Sequence, residues 1–171
     1  MTLVEPTATD PSWPKYSELP FPPYRFIPGL NPHPRRHPQG HAYGTKETVP
    51  PSIPPDRWSE NAVYLHGIDL YNFAYWWECH EALEGLWHLT GHQGTEAQFL
   101  QGIIQVAAAN LKRHVGSLVG ARRLGREAVA RLASVGRRFF MGLELGPFIR
   151  EVNDYHVDED SAKIPLVKLD R

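Results

Sequence analysis

The sequence predicts an all-α fold, an irregular bundle of about five helices that follows an extended proline-rich N-terminal arm. Two observations predict it. Residues 56–156 show helical periodicity without convincing alternation of period two, and 14 of the 16 prolines lie in residues 1–55. Because proline removes a backbone donor and restricts the residue before it, that segment cannot form a long helix or a central strand. We therefore expect an arm over residues 1–55, a helical domain over 56–156 and an acidic C-terminal tail over 157–171.

Capping residues and chain breakers set the expected bounds of the helices. Asp56 follows two prolines and is a candidate N-cap for the first helix. Residues 95–98 have the pattern of a capping box at the start of the third helix. Gly116 interrupts the periodicity, and Pro147 suits the first turn of the fifth helix. The predicted helices run over residues 57–71, 75–89, 96–114, 117–137 and 147–156.

The arm carries more aromatic and aliphatic side chains than a free linker needs. We therefore expect it to lie across the helical domain, in part as polyproline helix. Those side chains are Tyr16, Phe21, Tyr24, Phe26, Ile27 and Tyr43. His33, His37 and His41 recur every four residues, but the prolines between them prevent a helix that would bring them together. They predict polar decoration or a loop metal site, or else an arm that folds over the helices and lends one histidine to a site there.

Composition and charge exclude several classes of protein. The formal net charge of −1 gives no overall field that would attract nucleic acid or an anionic membrane. The single cysteine, Cys79, cannot form an internal disulfide, which is typical of a reducing compartment. Residues 1–6 lack the features of a signal peptide, and the longest apolar stretch, residues 102–109, is too short to span a bilayer. We expect a soluble, cytoplasmic protein.

A basic run covers residues 112–138, where eight Lys or Arg stand against a single acid, Glu127. Such a run could bind phosphates or RNA, but it is more often a solvated helix face. Here it is balanced by the acids Asp154, Asp158, Glu159 and Asp160. We therefore do not expect nucleic acid as a partner. A small-molecule substrate, a protein partner or a second copy of the chain remain open.

The second predicted helix combines aromatic and ionisable side chains on one face. At 100° per residue this face carries Trp77, His80, Glu84, Trp87 and His88. So much aromatic surface ought to be buried, yet charged groups are rarely buried unless they are paired or bind a metal. This conflict is the main functional signal in the sequence.

The spacing on this helix indicates a metal site. His80, Glu84 and His88 are separated by four residues each, so their side chains could converge on one point. Nitrogen and oxygen ligands of this kind suit zinc, iron or manganese. Glu81 lies at the margin of the face and could act as general base, whereas Glu78 points away from it.

Glutamines on the third predicted helix leave an alternative open. Gln101 and Gln105 interrupt a helix that is otherwise apolar almost all round, and buried amides need partners. Across a helix hairpin they could orient a metal ligand or a substrate around His80 and Glu84, together with Trp77 and His88. They could equally form a buried hydrogen-bonded network in a helical module that binds or supports a partner without catalysis.

Two motifs carry a resemblance to a known family. The first runs from Tyr71 to Trp87 and centres on Trp77-Glu78-Cys79-His80-Glu81; the second runs from Phe99 to Ala108 and contains both glutamines. Together they resemble the bacterial and archaeal domain of unknown function 309, over roughly residues 60–156.

The resemblance implies a compact all-helical protein. Members of the family have been catalogued as predicted metal-dependent hydrolases without an established substrate. The motif positions in this chain are Glu78, His80, Glu81, Glu84, Gln101 and Gln105. Since His88 lies outside the motif, we assign His80 and Glu84 as metal ligands, and Glu81 and Glu78 as candidate catalytic carboxylates. Cys79 is interpreted as a packing residue.

Overall fold

A computed structural model describes residues 2–159 and 161–170, so that Asp160 of the predicted acidic tail lies outside the described residues. Within those ranges the chain forms five α-helices, one 3₁₀ segment and a two-stranded hairpin, which confirms the all-α prediction. The 3₁₀ segment is Pro55–Glu60, the helices are α1 (Ala62–Asn72), α2 (Trp76–Leu89), α3 (Gly94–His114), α4 (Leu118–Ser134) and α5 (Leu145–His156), and the strands are β1 (Phe139–Phe140) and β2 (Leu143–Glu144).

The first predicted helix is divided into two pieces at Asn61. The backbone of Asn61 is extended (φ −85°, ψ 92°), and its side-chain oxygen accepts a hydrogen bond of 3.0 Å from the amide of Tyr64. Asn61 is therefore the N-cap of α1, and the prediction of Asp56 as the cap of one continuous helix is wrong. An Asn side chain that can bond the backbone competes with helix continuation and favours a cap.

Helix α3 is the centre of the core, packed between α2 and α4. Its buried side chains occupy most of its circumference, as expected for a central helix. Gly102 allows a close approach to α4, because a Cβ atom at that position would lie 2.7 Å from the Leu132 side chain. Helix α2 contributes its apolar stripe, which is Trp76, Cys79, Leu83 and Leu86.

The arm lies across α1 and α2 through hydrogen bonds as well as rings. Asp69 of α1 is fully buried and accepts the amides of Tyr16 (2.7 Å) and Ser17 (2.9 Å). Phe21 stacks on Tyr75 with ring centroids 4.9 Å apart. Not every predicted ring packs, since Tyr43 is exposed.

The C-terminal segment packs on the same end of α1. Asn72 donates to the carbonyl of Val167 and accepts its amide, both at 2.8 Å, and Val167 is completely buried. Leu169 forms an antiparallel bridge with Leu143 of β2. Earlier in the tail, Glu159 pairs with Arg122 of α4 at 2.6 Å, so one cation of the basic run is neutralised as expected. Among the described helices, none combines the length and apolar content that crossing a bilayer requires.

We predict that His156 makes stability fall in mild acid. It is 1% exposed and its Nε2 lies 2.7 Å from Asn110 Oδ1. Burial, aided by the positive charge of Arg113, lowers its pKa to about 4. In the unfolded chain the imidazole titrates near pH 6.5, so between these values the unfolded state binds the additional proton and stability decreases as the pH falls. Between pH 7 and pH 4.5 the protonation of this residue should lower the free energy of unfolding by about 2–3 kcal/mol.

The measurement is urea unfolding at pH 7 and pH 4.5, on the wild type and on His156→Gln, whose amide can still bond Asn110. Between the two pH values, the free energy of unfolding of the variant should fall by about 2–3 kcal/mol less than that of the wild type. An equal loss of stability in both proteins would contradict the assignment.

Candidate metal centre

The aromatic face that the sequence predicts to be buried is instead the outer face of α2. The core contacts the apolar stripe of α2, which consists of Trp76, Cys79, Leu83 and Leu86. The His80 and Glu84 side chains lie outside this stripe and are 35% and 38% exposed. The two tryptophans of this outer face contact rings from the arm and from the loop after α2. Trp77 packs edge-on against Phe26 of the arm with centroids 5.3 Å apart, and Trp87 stacks on His92 at 3.8 Å. The expectation of a buried ionisable face is therefore wrong, because the face is covered only in part, by arm and loop rings on Trp77 and Trp87 and by the edge of the core against Trp87.

Three ligand-type side chains of α2 nevertheless converge. One nitrogen or oxygen atom each from His80, Glu81 and Glu84 lies within 4.8 Å of the other two. His80 Nδ1 is 3.3 Å from Glu81 Oε1 and 3.8 Å from Glu84 Oε2. Ligand atoms of a tetrahedral zinc site with bonds of 2.0–2.2 Å are about 3.4 Å apart, so small side-chain adjustments would let all three reach one ion.

The ligand atom of His80 is the most distinctive of the three. Its Nδ1 is buried even though the side chain is partly exposed, and its nearest partner is Glu81 Oε1 at 3.3 Å, an ion pair that lies outside good hydrogen-bond geometry. A buried polar nitrogen that is paired this poorly is costly. This donor set and this poorly paired nitrogen fit a divalent cation.

His80 and Glu81 shift each other's pKa. The carboxylate of Glu81, and then that of Glu84, raises the pKa of His80 against the opposing effect of burial. In turn His80 lowers the pKa of Glu81, with further contributions from Arg35 and His33 of the arm. The Arg35 Nε lies 3.5 Å from Glu81 Oε2. The arm thus places a cation against the outer carboxylate of the group.

A cleft of about 510 Å³ opens between the arm and α2. Glu78, Glu81, Glu84 and His88 line its helical wall, and Arg35 belongs to the opposite wall. Two of the three converging side chains therefore face a space large enough for a small molecule.

Glu78 fixes the arm that forms this wall. Its Oε1 accepts hydrogen bonds from the Phe26 amide and from His41 Nε2, both at 3.0 Å. Its Oε2 is buried and has no hydrogen-bond partner. Burial raises the pKa of the Glu78 carboxyl, and the bonds from His41 and Phe26 reduce that rise. The arm does fold over α2, but the histidine it lends meets Glu78 rather than His80 and Glu84, which corrects that part of the prediction.

The other arm histidines accept amides of the arm itself, and the His33 ring also packs on Trp77 of α2 with centroids 5.4 Å apart. The Nδ1 of His33 accepts the amide of Arg35 at 3.2 Å, and that of His37 accepts the amide of Gln39 at 3.1 Å. Within the described part of the chain, the only group of three or more potential ligands is that of His80, Glu81 and Glu84. A loop metal site built from the arm histidines is therefore not formed.

The two glutamines of α3 do not meet this group. Gln105 Nε2 donates to Glu127 of α4 at 2.9 Å, and no hydrogen bond among the described residues joins Gln101 or Gln105 to His80 or Glu84. This corrects the predicted network. Cys79 is fully buried, and burial raises the pKa of its thiol, as expected of a packing residue.

Sequence reasoning missed Asp69, His41 and Arg35 as the residues that hold the arm over the site. His41 was noticed only as one of a histidine series, and Arg35 carried no signal. Asp69 was detectable in principle, because a carboxylate between apolar neighbours of a helix needs a buried donor.

Comparison with known protein families gives a match to the segment that carries this group. The family model for a domain of unknown function (DUF309) matches residues 64–124, which span α1, α2, α3 and the start of α4. This match confirms the predicted resemblance to that family over residues 64–124. The matched segment contains all six motif positions. No curated protein matches the chain.

We predict that Glu78→Ala loosens the arm. The change removes the acceptor of the Phe26 amide and of His41 and leaves the amide buried without a partner, which costs about 1–3 kcal/mol. Hydrogen exchange should accelerate in residues 24–42 more than in α3.

Glu84→Ala is the matched control, since Glu84 is more exposed than Glu78 and its ion pairs are with His80 and His88 of the same helix, whereas Glu81 pairs with Arg35 of the arm. Its exchange over residues 24–42 should stay close to that of the wild type. Equal protection of the arm in Glu78→Ala and in the wild type would contradict the assigned role.

Proposed function

We propose that this protein binds a divalent transition-metal ion at His80, Glu81 and Glu84 and is a metal-dependent hydrolase. The observation that carries the proposal is the convergence of the three ligand atoms, with the buried His80 nitrogen facing the two carboxylates at 3.3 and 3.8 Å outside good hydrogen-bond geometry. The adjoining cleft and the location of all three residues inside the family segment support it.

Each ligand has a distinct part in holding the ion. His80 supplies the nitrogen, Glu84 the carboxylate one helical turn later, and Glu81 a carboxylate that Arg35 keeps in place from the arm. Bound there, the cation would supply Lewis acidity, which polarises a carbonyl or phosphoryl oxygen and acidifies water. Because zinc, manganese and iron all accept a nitrogen and two carboxylate oxygens, the donor set admits any of the three.

Glu78 is the candidate proton acceptor. It lines the cleft beside Glu81 and Glu84, and its Oε2 has no hydrogen-bond partner. The bonds from His41 and Phe26 hold its other oxygen and so fix the orientation of the carboxylate. In this proposal Glu81 moves from general base to metal ligand, and Glu78 retains the catalytic role.

One observation favours a non-enzymatic module as the second candidate. Glu78, a residue of the family motif, has a clear structural task in attaching the arm. If the other motif residues were likewise structural, the cleft would bind a partner and would not turn over a substrate.

We predict that Mn²⁺ or Zn²⁺ supports hydrolysis of at least one member of a panel of chromogenic carboxyl and phosphate esters. His80→Ala and Glu84→Gln should lose both metal binding, measured by calorimetry, and turnover. Glu78→Gln keeps an acceptor for the Phe26 amide, so it should bind metal normally and lose about 10²–10⁴-fold in kcat. His37→Ala, on the arm but outside the cleft lining, is the control.

The outcomes separate the two candidates. Metal binding without turnover of any ester would leave the metal site and remove the hydrolase. Failure of the wild type to bind any of the three metals would favour the module.

A further inference from the structure

A second pair of imidazoles lies at the C-terminal end of α2. His88 Nδ1 is 2.8 Å from His92 Nε2, while the opposite nitrogen of His88, Nε2, is 3.9 Å from Glu84 Oε1. The His88 side chain is 56% exposed and lines the cleft. The two imidazoles therefore share a hydrogen bond beside open solvent, and a carboxylate stands behind the His88 ring.

The backbone holds His92 in this position at a cost. His92 lies beyond the end of α2 and adopts φ +63°, a left-handed conformation that is uncommon for residues other than glycine. That conformation returns the chain over the helix end, and the His92 ring stacks on Trp87 with an interplanar angle of 15°. Strained backbone of this kind persists where the surroundings fix it, and it is concentrated at functional sites.

The separation of the two nitrogens suits a shared cation. With metal–nitrogen bonds of about 2.0–2.1 Å, adjacent ligands at 90° in a square-planar or octahedral site lie about 2.9 Å apart. In the tautomer with the proton on Nε2, the side that faces Glu84 Oε1 from 3.9 Å, the lone pair of His88 Nδ1 is directed towards His92. A carboxylate behind a ligating histidine is the usual way in which proteins set the tautomer and orientation of the ring.

We propose that His88 Nδ1 and His92 Nε2 form a second cation site, selective for nitrogen-preferring ions such as Cu²⁺, Ni²⁺ or Zn²⁺. Solvent completes the coordination, because both rings are exposed. The first site has two carboxylate ligands, whereas this pair has only imidazole nitrogens. The preference in affinity for Cu²⁺ and Ni²⁺ over Mn²⁺ should therefore be larger at this pair than at the first site. Glu84 lies between the two, with Oε2 towards His80 and Oε1 towards His88.

Trp87 provides a local reporter for the test. Since its ring is stacked on His92, Cu²⁺ bound at the pair should quench its fluorescence, and a Trp87→Phe variant should bind Cu²⁺ with a smaller loss of signal. Calorimetry with Zn²⁺ should give two equivalents for the wild type. Electron paramagnetic resonance of one Cu²⁺ equivalent should show hyperfine splitting from two nitrogens.

Single-histidine variants separate this site from the first. His88→Ala and His92→Ala should each weaken Cu²⁺ binding by at least about tenfold, since even the loss of an outer partner of a metal site typically costs that much. Both should retain the binding that depends on His80, and His37→Ala should change neither. In His80→Ala the Cu²⁺ signal with two nitrogens should persist.

Unchanged Cu²⁺ affinity and unchanged quenching in His92→Ala would overturn the second site. If the wild type bound metal at the His88–His92 pair but showed no equivalent that depends on His80, the result would instead count against the proposed function. The two failures are therefore distinguishable.

Discussion

Two buried carboxylates that accept backbone amides of the arm are the constraint on which the rest of the site depends. A proline-rich segment cannot pair its N–H groups within a helix or a central strand, so its remaining donors need acceptors elsewhere. Asp69 of α1 accepts Tyr16 and Ser17, and Glu78 of α2 accepts Phe26. These bonds fix the arm over α2, and the arm then forms one wall of the cleft and places Arg35 beside Glu81.

The local sequence pattern was sufficient to predict most of the helices. The features that were not predicted depend on contacts between distant parts of the chain. The bounds of α2 and α3 differ little from prediction, because their apolar spacing and flanking glycines act within a few residues. The break at Asn61 was missed because periodicity continues across it, and only the hydrogen bond to the Tyr64 amide decides that Asn61 is a cap. The packing of Val167 depends on Asn72, which is 95 residues earlier in the chain, and a short extended segment carries no periodic signal.

The candidate site divides in the same way. The approach of His80 to Glu84 was predictable, since residues four apart on a helix are neighbours. The partner of Gln105 was not, because α3 packs against both α2 and α4, and the amide faces Glu127 on the latter. The aromatic face was assigned to the core on its tryptophan content alone, although the Cys79 and Leu83 stripe is the more continuous apolar surface.

The most direct test of the account is crystallographic. Crystals soaked in Mn²⁺ and measured above and below the manganese absorption edge locate the ion by its anomalous scattering, independently of any activity. If the three side chains bind the ion, a peak will lie about 2.0–2.3 Å from His80 Nδ1 and from one carboxylate oxygen each of Glu81 and Glu84. The absence of a peak among these side chains at saturating Mn²⁺, with the side chains still in place, would contradict metal binding at this site. The three residues would then form only a cluster of ion pairs on the helix surface.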